Sequence, residues 1–409
     1  MTTTINNEHK KLNVPNLRFK EFEGEWKEEH LSDIADLYKG TGISKDQLSD
    51  EGEPCILYGE LYTKYKSETI EKVISKTNID NTKLVRSKAN DVIIPCSGET
   101  AEDIATARCV LNDNILLGGD LNIIRLHGYD GTFMSYQLNG KRKYDIAKVA
   151  QGVSVVHLYG EHLKGVKTIN PCLEEQKKIA SLLFLLDERI ATQNKIIDKL
   201  QSLIKGLNDT LYAQHGNEVM TSFAELGTPY SGLSGKSAQD FGSGKPFITY
   251  LNVYSNNIIN ENDFQYVAIK DGEKQNIVEY GDVLFTMSSE TPNEVGIGSV
   301  FLGKEKVYLN SFCFGIHITN KEVAFPPYLS YYVSSTAFRK FIYPYAQGST
   351  RFNLCKADFE KASIKLPTLE NQKRIYSILG HIDCKIETER LLLALYNSQK
   401  QYLLRQMFI

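Results

Sequence analysis

Residues 151–212 can be laid on residues 347–408 at a constant offset of 196 (347 − 151), and this internal repetition restricts the chain to folds built from two copies of one plan. In the best-matched stretch PCLEEQKKIASLLFLLDERI (171–190) faces PTLENQKRIYSILGHIDCKI (367–386), with Pro171 on Pro367, Glu174 on Glu370, Gln176 on Gln372 and Asp187 on Asp383. Two further blocks agree. Gly52, Pro54, Ile56, Tyr58 and Tyr62 fall on Gly244, Pro246, Ile248, Tyr250 and Tyr254, while Asp91, Val92, Ser97, Glu99 and Thr100 fall on Asp282, Val283, Ser288, Glu290 and Thr291. The period is domain-sized, far beyond the roughly 20 to 50 residues of a solenoid unit.

The tail of each repeat carries the clearest periodicity. Ile179, Leu183, Leu186, Ile190, Ile197, Leu200, Ile204, Leu207 and Leu211 are spaced alternately four and three apart, a heptad seam in which Gln193 is the polar member. The second copy reads Ile375, Leu379, Ile382, Ile386, Glu389, Leu393, Tyr396, Lys400, Leu403 and Met407, with polar breaks at Glu389 and Lys400. Pro171 and Pro367 mark the helix starts, because proline is tolerated at a first turn and not inside. Glu174, Glu175 and Glu370 then meet the positive end of the helix dipole. Helices of about 40 residues are roughly 60 Å long at 1.5 Å per residue. Both partners sit on one chain, so intramolecular pairing costs less entropy than self-association. The expected fold is α+β: two similar mixed α/β domains, each followed by a long helix, the helices packing as an intramolecular antiparallel coiled coil with pseudo-two-fold symmetry. The expected boundaries are 15–170, 171–214, 215–366 and 367–409.

The globular portions read as short strands. ILYGELY (56–62), DVIIPCS (91–97), ILLGGDLNIIRL (115–126), FITYLNVY (247–254), DVLFTMS (282–288) and FCFGIHI (312–318) are apolar and bounded by Gly, Asn, Asp and Pro. FMSYQLNGKRKYDIAKVAQG (133–152) and YLSYYVSSTAFRKFIYPYAQG (328–348) begin as helices and deliver the chain to a Gln-Gly turn. After that turn come Gln347, Gly348, Ser349, Thr350, Arg351, Phe352 and Asn353 in the second copy, and Gln151, Gly152, Val153, Ser154, Val155, Val156 and His157 in the first. Arg can bond guanine in bidentate fashion, Gln and Asn can bond adenine, and Ser and Thr suit phosphate oxygens. A turn that satisfies its own backbone explains the same residues without a ligand. Lys141, Arg142 and Lys143 form a tight basic cluster, a solvated face or a phosphate contact. Ser97 and Ser288 open the repeat-matched polar loops SGET and SSET.

With 409 residues and 42% hydrophobic content the chain has material for two cores, and its net charge of −3 argues neither for nor against nucleic acid. Seven dispersed cysteines without a Cys-x-x-Cys pair point to reduced thiols and a cytosolic setting. No apolar run approaches a membrane span and the start lacks a signal-peptide core. YSGLSGKS (230–237) fails as a phosphate loop because Tyr230 stands where glycine is required, and GSGKP (242–246) fails because proline follows the lysine. The eight histidines lack metal-ligand spacing. No catalytic constellation is repeated; Glu99 and Glu290 are the titratable candidates for an enzyme reading.

The duplicated plan, the Pro-x-Leu-Glu-x-Gln helix starts at Pro171 and Pro367, the Gln-Gly-Ser-Thr-Arg loop at 347–351 and the opening VPNLRFKEFEGEWK (14–27) together resemble the specificity subunits of type I restriction-modification systems. The first copy departs from the loop pattern, with Val153 to Val156 replacing Ser-Thr-Arg-Phe. The resemblance implies a non-catalytic subunit whose two globular target-recognition domains each read one half of a split double-stranded DNA target, with the helices as a ruler. It implies two modification subunits bringing S-adenosylmethionine and two restriction subunits bringing ATP and Mg, with no cofactor in this chain and no membrane partner. The residues placed against DNA are Ser97, Lys141, Arg142, Lys143, Gln151, Ser154, Ser288, Gln347, Ser349, Thr350, Arg351 and Asn353. A coiled-coil scaffold joining two protein-binding domains is the alternative.

Overall fold

The apolar runs Asp91–Pro95 and Val283–Thr286 are central strands of two sheets with the same order of neighbours. In the computed structural model, which describes residues 13–80, 82–152 and 155–409, the chain divides into two compact units. One is Met1–Asn194 with Leu391–Ile409, the other Lys195–Arg390.

In the first unit the strands Ala35–Lys39, Leu121–Leu126, Asp91–Pro95, Arg108–Val110 and Thr69–Ile70 lie side by side in that order. In the second, Gly227–Ser231, Cys313–Ile318, Val283–Thr286 and Gly298–Val300 repeat the first four. The matching pairs are antiparallel in both units. A second sheet repeats too. Glu53–Ile56 runs parallel to Leu116–Leu117 and antiparallel to Ser75–Thr77, as Phe241–Ile248 runs parallel to Tyr308–Leu309 and antiparallel to Gln265–Val267. Central strands are buried on both faces: Val92, Ile93 and Ile94, like Val283, Leu284 and Phe285, are fully buried, which explains their unbroken apolar runs.

Each globular part is closed by pairing its entry strand with its exit strand. Lys27–His30 pairs with Lys167–Asn170, and Val219–Thr221 pairs with Ile364–Leu366. The exit strand leads through the proline into a long helix, Leu173–His215 or Leu369–Gln406. The residue that fixes this junction is glutamine. Gln176, 1% exposed, accepts from the Asp130 amide (2.9 Å) and donates to the Pro171 carbonyl (2.8 Å). Gln372, 0% exposed, accepts from the Phe325 amide (2.8 Å) and donates to the Val323 and Pro367 carbonyls (2.8 and 2.9 Å).

The heptad seams are the contact faces. In the first unit Ile179, Leu183 and Leu186 share a core with Leu403 and Met407, so the helices run antiparallel there. Gln193 and Glu389 are buried at 5% and 7% exposure. The seam break at Lys400 is an ion-pair site. Its ammonium lies 2.7 Å from both Glu68 and Asp187, beneath the Tyr136 ring, and the Tyr136 hydroxyl donates to Asp187 at 2.6 Å. Burial pushes the Asp187 carboxyl up; burial pushes Glu68 up as well, but the charge and hydrogen bond of Lys400 outweigh it and hold Glu68 low. In the second unit Ile204, Leu207 and Leu211 pack against the core containing Ile375 and Leu379, and His215 reaches Asn371, again antiparallel. The tyrosine–aspartate contact recurs there as Tyr331 donating to Asp383.

Three strand expectations need correction. ILYGELY stops being a strand at Ile56 and turns into the short helix Glu60–Thr63, and FITYLNVY stops at Ile248 and turns into Tyr250–Ser255. In the latter the Thr249 hydroxyl accepts from the Asn252 amide at 3.1 Å, a local helix cap that overrides the β propensity of the aromatic run. ILLGGDLNIIRL is broken by its two glycines into Leu116–Leu117 and Leu121–Leu126. Among the described residues no helix is long and apolar enough to cross a membrane.

Candidate nucleic-acid interface

The Gln-Gly turns fold as hairpins pinned to the polar loops. In the second unit Gln347 pairs with Asn353, which pairs in turn with Ser288. In the first unit Gln151 pairs with His157, which pairs with Ser97. The glycine of each turn is required by geometry. Gly152 has φ +124° and a Cβ there would lie 2.1 Å from the Val155 carbonyl oxygen; Gly348 has φ +140° and its Cβ would lie 2.1 Å from that of Arg351. Such a backbone suits glycine alone, and the carbonyl three residues on approaches both glycines equally closely.

Each pinned serine is held from behind by a tyrosine of the short helix. Tyr62 donates to the Ser97 carbonyl at 3.0 Å and Tyr250 to the Ser288 carbonyl at 2.8 Å. These tyrosines are not the pair that the sequence repeat aligns, Tyr62 with Tyr254, so the same support comes from helix positions out of register. Burial pushes both phenols up. They stay neutral hydroxyl donors.

The hairpin faces carry the polar side chains outward. Gln347, Ser349, Thr350, Arg351 and Asn353 are all exposed, as are Gln151 and His157. Ser288 is 5% exposed and receives one N–H of Arg351 Nη2 on its hydroxyl at 3.3 Å. The Ser97 hydroxyl meets His157 Nδ1 at 3.3 Å. In the first unit a cleft of about 800 Å³ opens beside the hairpin, lined by Tyr58, Tyr62, Lys66, Ser97, Glu99, Asp103, Arg108 and Val155.

The family model described as "Type I restriction modification DNA specificity domain" matches residues 23–202 and again 234–395. The chain belongs to this family. It is a DNA-specificity protein of the type I restriction-modification class, with the specificity domain present twice. A protein of Methanocaldococcus jannaschii, provisionally named as the MjaX type I restriction enzyme specificity subunit, is 23% identical over 93% of this chain and 92% of its own length. The MjaVIII specificity subunit of the same organism is 25% identical over 56% of this chain and 54% of its own length. Among solved structures, the type I S subunit from M. genitalium matches in fold with a TM-score of 0.57 at 17% identity, over 97% of this chain and 99% of that one. A chain from a study of complex assembly and conformational transition of the type I R-M system matches with a TM-score of 0.56 at 15% identity, over 94% and 97%.

Within this specificity fold the residues singled out from sequence fall into two groups. Ser97 and Gln151 come together in the first unit, and Ser288, Gln347, Ser349, Thr350, Arg351 and Asn353 in the second. Ser154 lies outside the described residues. Lys141, Arg142 and Lys143 stand at the bend between the helices Gly131–Asn139 and Lys143–Val149. Arg142 is engaged there, donating to the Ile409 carbonyl at 3.1 Å and to Asp145 at 3.4 Å. Sequence reasoning gave no site role to Tyr58, Tyr62, Tyr250 or His157. The signal for the tyrosines was in the repeat itself, which matched both aromatic positions across the two copies.

Proposed function

We propose that residues 15–170 and 215–366 are two target-recognition domains, each reading one half of a split DNA sequence through its Gln-Gly hairpin, while 171–214 and 367–409 are the helices that set the gap. The observation that carries this reading is one rigid mount built twice with different faces. Glycine, tyrosine and serine fix the same hairpin in both units, yet the exposed residues are Gln151, Val155 and His157 in one and Gln347, Arg351 and Asn353 in the other. A common mount with unlike outward groups suits two half-sequences that differ. Base edges, which offer donors and acceptors, fit these amide, imidazole and guanidinium groups. Ser288, being buried, acts through Arg351, and Ser349 and Thr350 suit phosphate oxygens. Glu99 and Asp103 in the first cleft suit the amino groups of bases and repel phosphate.

The reading further assigns catalysis to partners: two modification subunits with S-adenosylmethionine and two restriction subunits with ATP and Mg. The test is to co-express the chain with its modification subunit and map methylated adenines across host DNA. A split motif with a fixed gap that disappears when the chain is deleted is the expected result. Unchanged methylation despite a confirmed complex would favour the scaffold alternative. Inserting one heptad in each helix adds about 10.5 Å, so the gap should lengthen by about 3 base pairs at 3.4 Å each with both half-sequences intact.

A further inference from the structure

The two hairpins differ most in their arginine, and the arginines of the globular parts can be accounted for one by one. The first holds five. Arg18 forms a bidentate pair with Glu175 (2.8 Å each), Arg125 another with Asp91 (2.9 and 2.7 Å), and Arg86 pairs with Glu53 (2.5 Å). Arg108 donates to the Tyr65 and Ala107 carbonyls, and Arg142 to Ile409 and Asp145. The second holds two. Arg339 is spent on the Gly296, Asn293 and Val295 carbonyls at 2.9, 2.7 and 2.7 Å.

Arg351 is different. It is exposed at the hairpin tip, and its single hydrogen bond among the described residues runs from Nη2 to the Ser288 hydroxyl, whose backbone carbonyl is in turn held by Tyr250. One of five N–H groups is used as a tether, which leaves those of Nε and Nη1 and the second of Nη2 available to a ligand on this exposed side chain. A guanidinium tethered at one corner loses less rotamer freedom on binding than a free one and presents a planar fork with fixed direction. That fork matches the O6 and N7 acceptors of guanine in the major groove.

We infer that Arg351 reads a guanine in the half-sequence contacted by the second unit, with Ser288 as its positioning residue, and that no arginine performs this task in the first unit, where Val155 occupies the matching place. The inference rests on the function proposed above.

The test uses the full chain assembled with its modification subunits and duplexes carrying the mapped motif. Each guanine is replaced in turn by 7-deazaguanine, which lacks the N7 acceptor. With the wild-type complex, one guanine in one half should be sensitive, weakening binding by about 5- to 150-fold. Arg351→Ala, which removes the bonds to both O6 and N7, should lose at least as much on natural DNA and show no further loss with the modified base, while the other half responds as in the wild type. Ser288→Ala should give a smaller loss at that same guanine. Arg351→Lys, which keeps the charge but not the fork, should fall between wild type and alanine. A motif whose guanines are all insensitive, or a sensitive guanine that Arg351→Ala leaves equally sensitive, overturns the inference while leaving the address-reading function in place. A wild-type complex that distinguishes no sequence overturns the function itself.

Discussion

Replacing Lys400 by methionine removes the cation shared by Glu68 and Asp187 while keeping the length of the side chain. The three side chains are only 14%, 13% and 8% exposed. Removing one partner of a buried ion pair costs about 3 to 5 kcal/mol, because the remaining charge is left uncompensated. The lower end applies, since Lys400 keeps some solvent contact and the nearby Arg108 charge remains. The loss expected near pH 8 is therefore about 3 kcal/mol, or a fall of about 1 M in urea midpoint for a slope of about 3 kcal/mol per M. Trp26 makes this measurable for the first unit alone. It is the single tryptophan of the chain and lies against Phe133 in the core that also contains Leu403 and Met407. Its fluorescence reports that unit's transition. The sign with pH follows from linkage. In the variant the uncompensated carboxyls have folded-state pKa values raised above the unfolded ones, so the penalty is full at high pH and shrinks as pH falls toward 5. A loss below about 1 kcal/mol, or an equal loss at pH 5 and pH 8, would refute the argument that Lys400 neutralises a buried pair.

Gly348→Ala must move the hairpin tip, since the new Cβ would meet the Arg351 carbonyl; base discrimination in the second half should collapse in the deazaguanine assay while urea unfolding changes by about 1 kcal/mol. Gln372→Leu leaves the buried Phe325 amide and the Val323 and Pro367 carbonyls without that side chain as their partner, so about 2 to 4 kcal/mol of stability should be lost, read by hydrogen exchange of the Phe325 amide. Glu218 is held down to about 2 by hydrogen bonds from Asn371 and the Thr368 amide. Its contribution to stability should be complete above about pH 4.5 and fade as pH falls toward 2, and Glu218→Gln should flatten that limb of an acid titration.

The long helices were legible because their stabilising contact is periodic: a seam repeating over five heptads leaves no comparable alternative. The sheets were legible where strands are buried on both faces, as at Asp91–Pro95. The short helices at Glu60 and Tyr250 were not, because four to six residues rich in tyrosine carry a strand-like composition and their conformation is decided by a cap and by the serine loop they support. The candidate hairpins were visible as polar clusters, but sequence could not show which groups are engaged. Arg142 and Arg351 look alike in a list of basic residues; only the fold binds one to Asp145 and Ile409 and leaves the other tethered at a single corner. Lys400 was visible as a break in the seam, and its reason, Glu68, lies 332 residues away.

The first unit is assembled from two distant pieces of chain, whereas the second is the single run Lys195–Arg390. Phe408 stacks on Phe133 at 5.0 Å, and Leu403, Met407 and Lys400 complete the core and the ion pair of the unit whose other residues are made first. On the ribosome, then, birth order and folding order part company: the earlier-made half has to wait, its apolar helix face open, until Leu391–Ile409 have been made, while the later-made half can close as soon as Lys195–Arg390 has emerged. For that interval Ile179, Leu183 and Leu186 lack Leu403 and Met407 as core partners, an apolar stripe that a chaperone would cover.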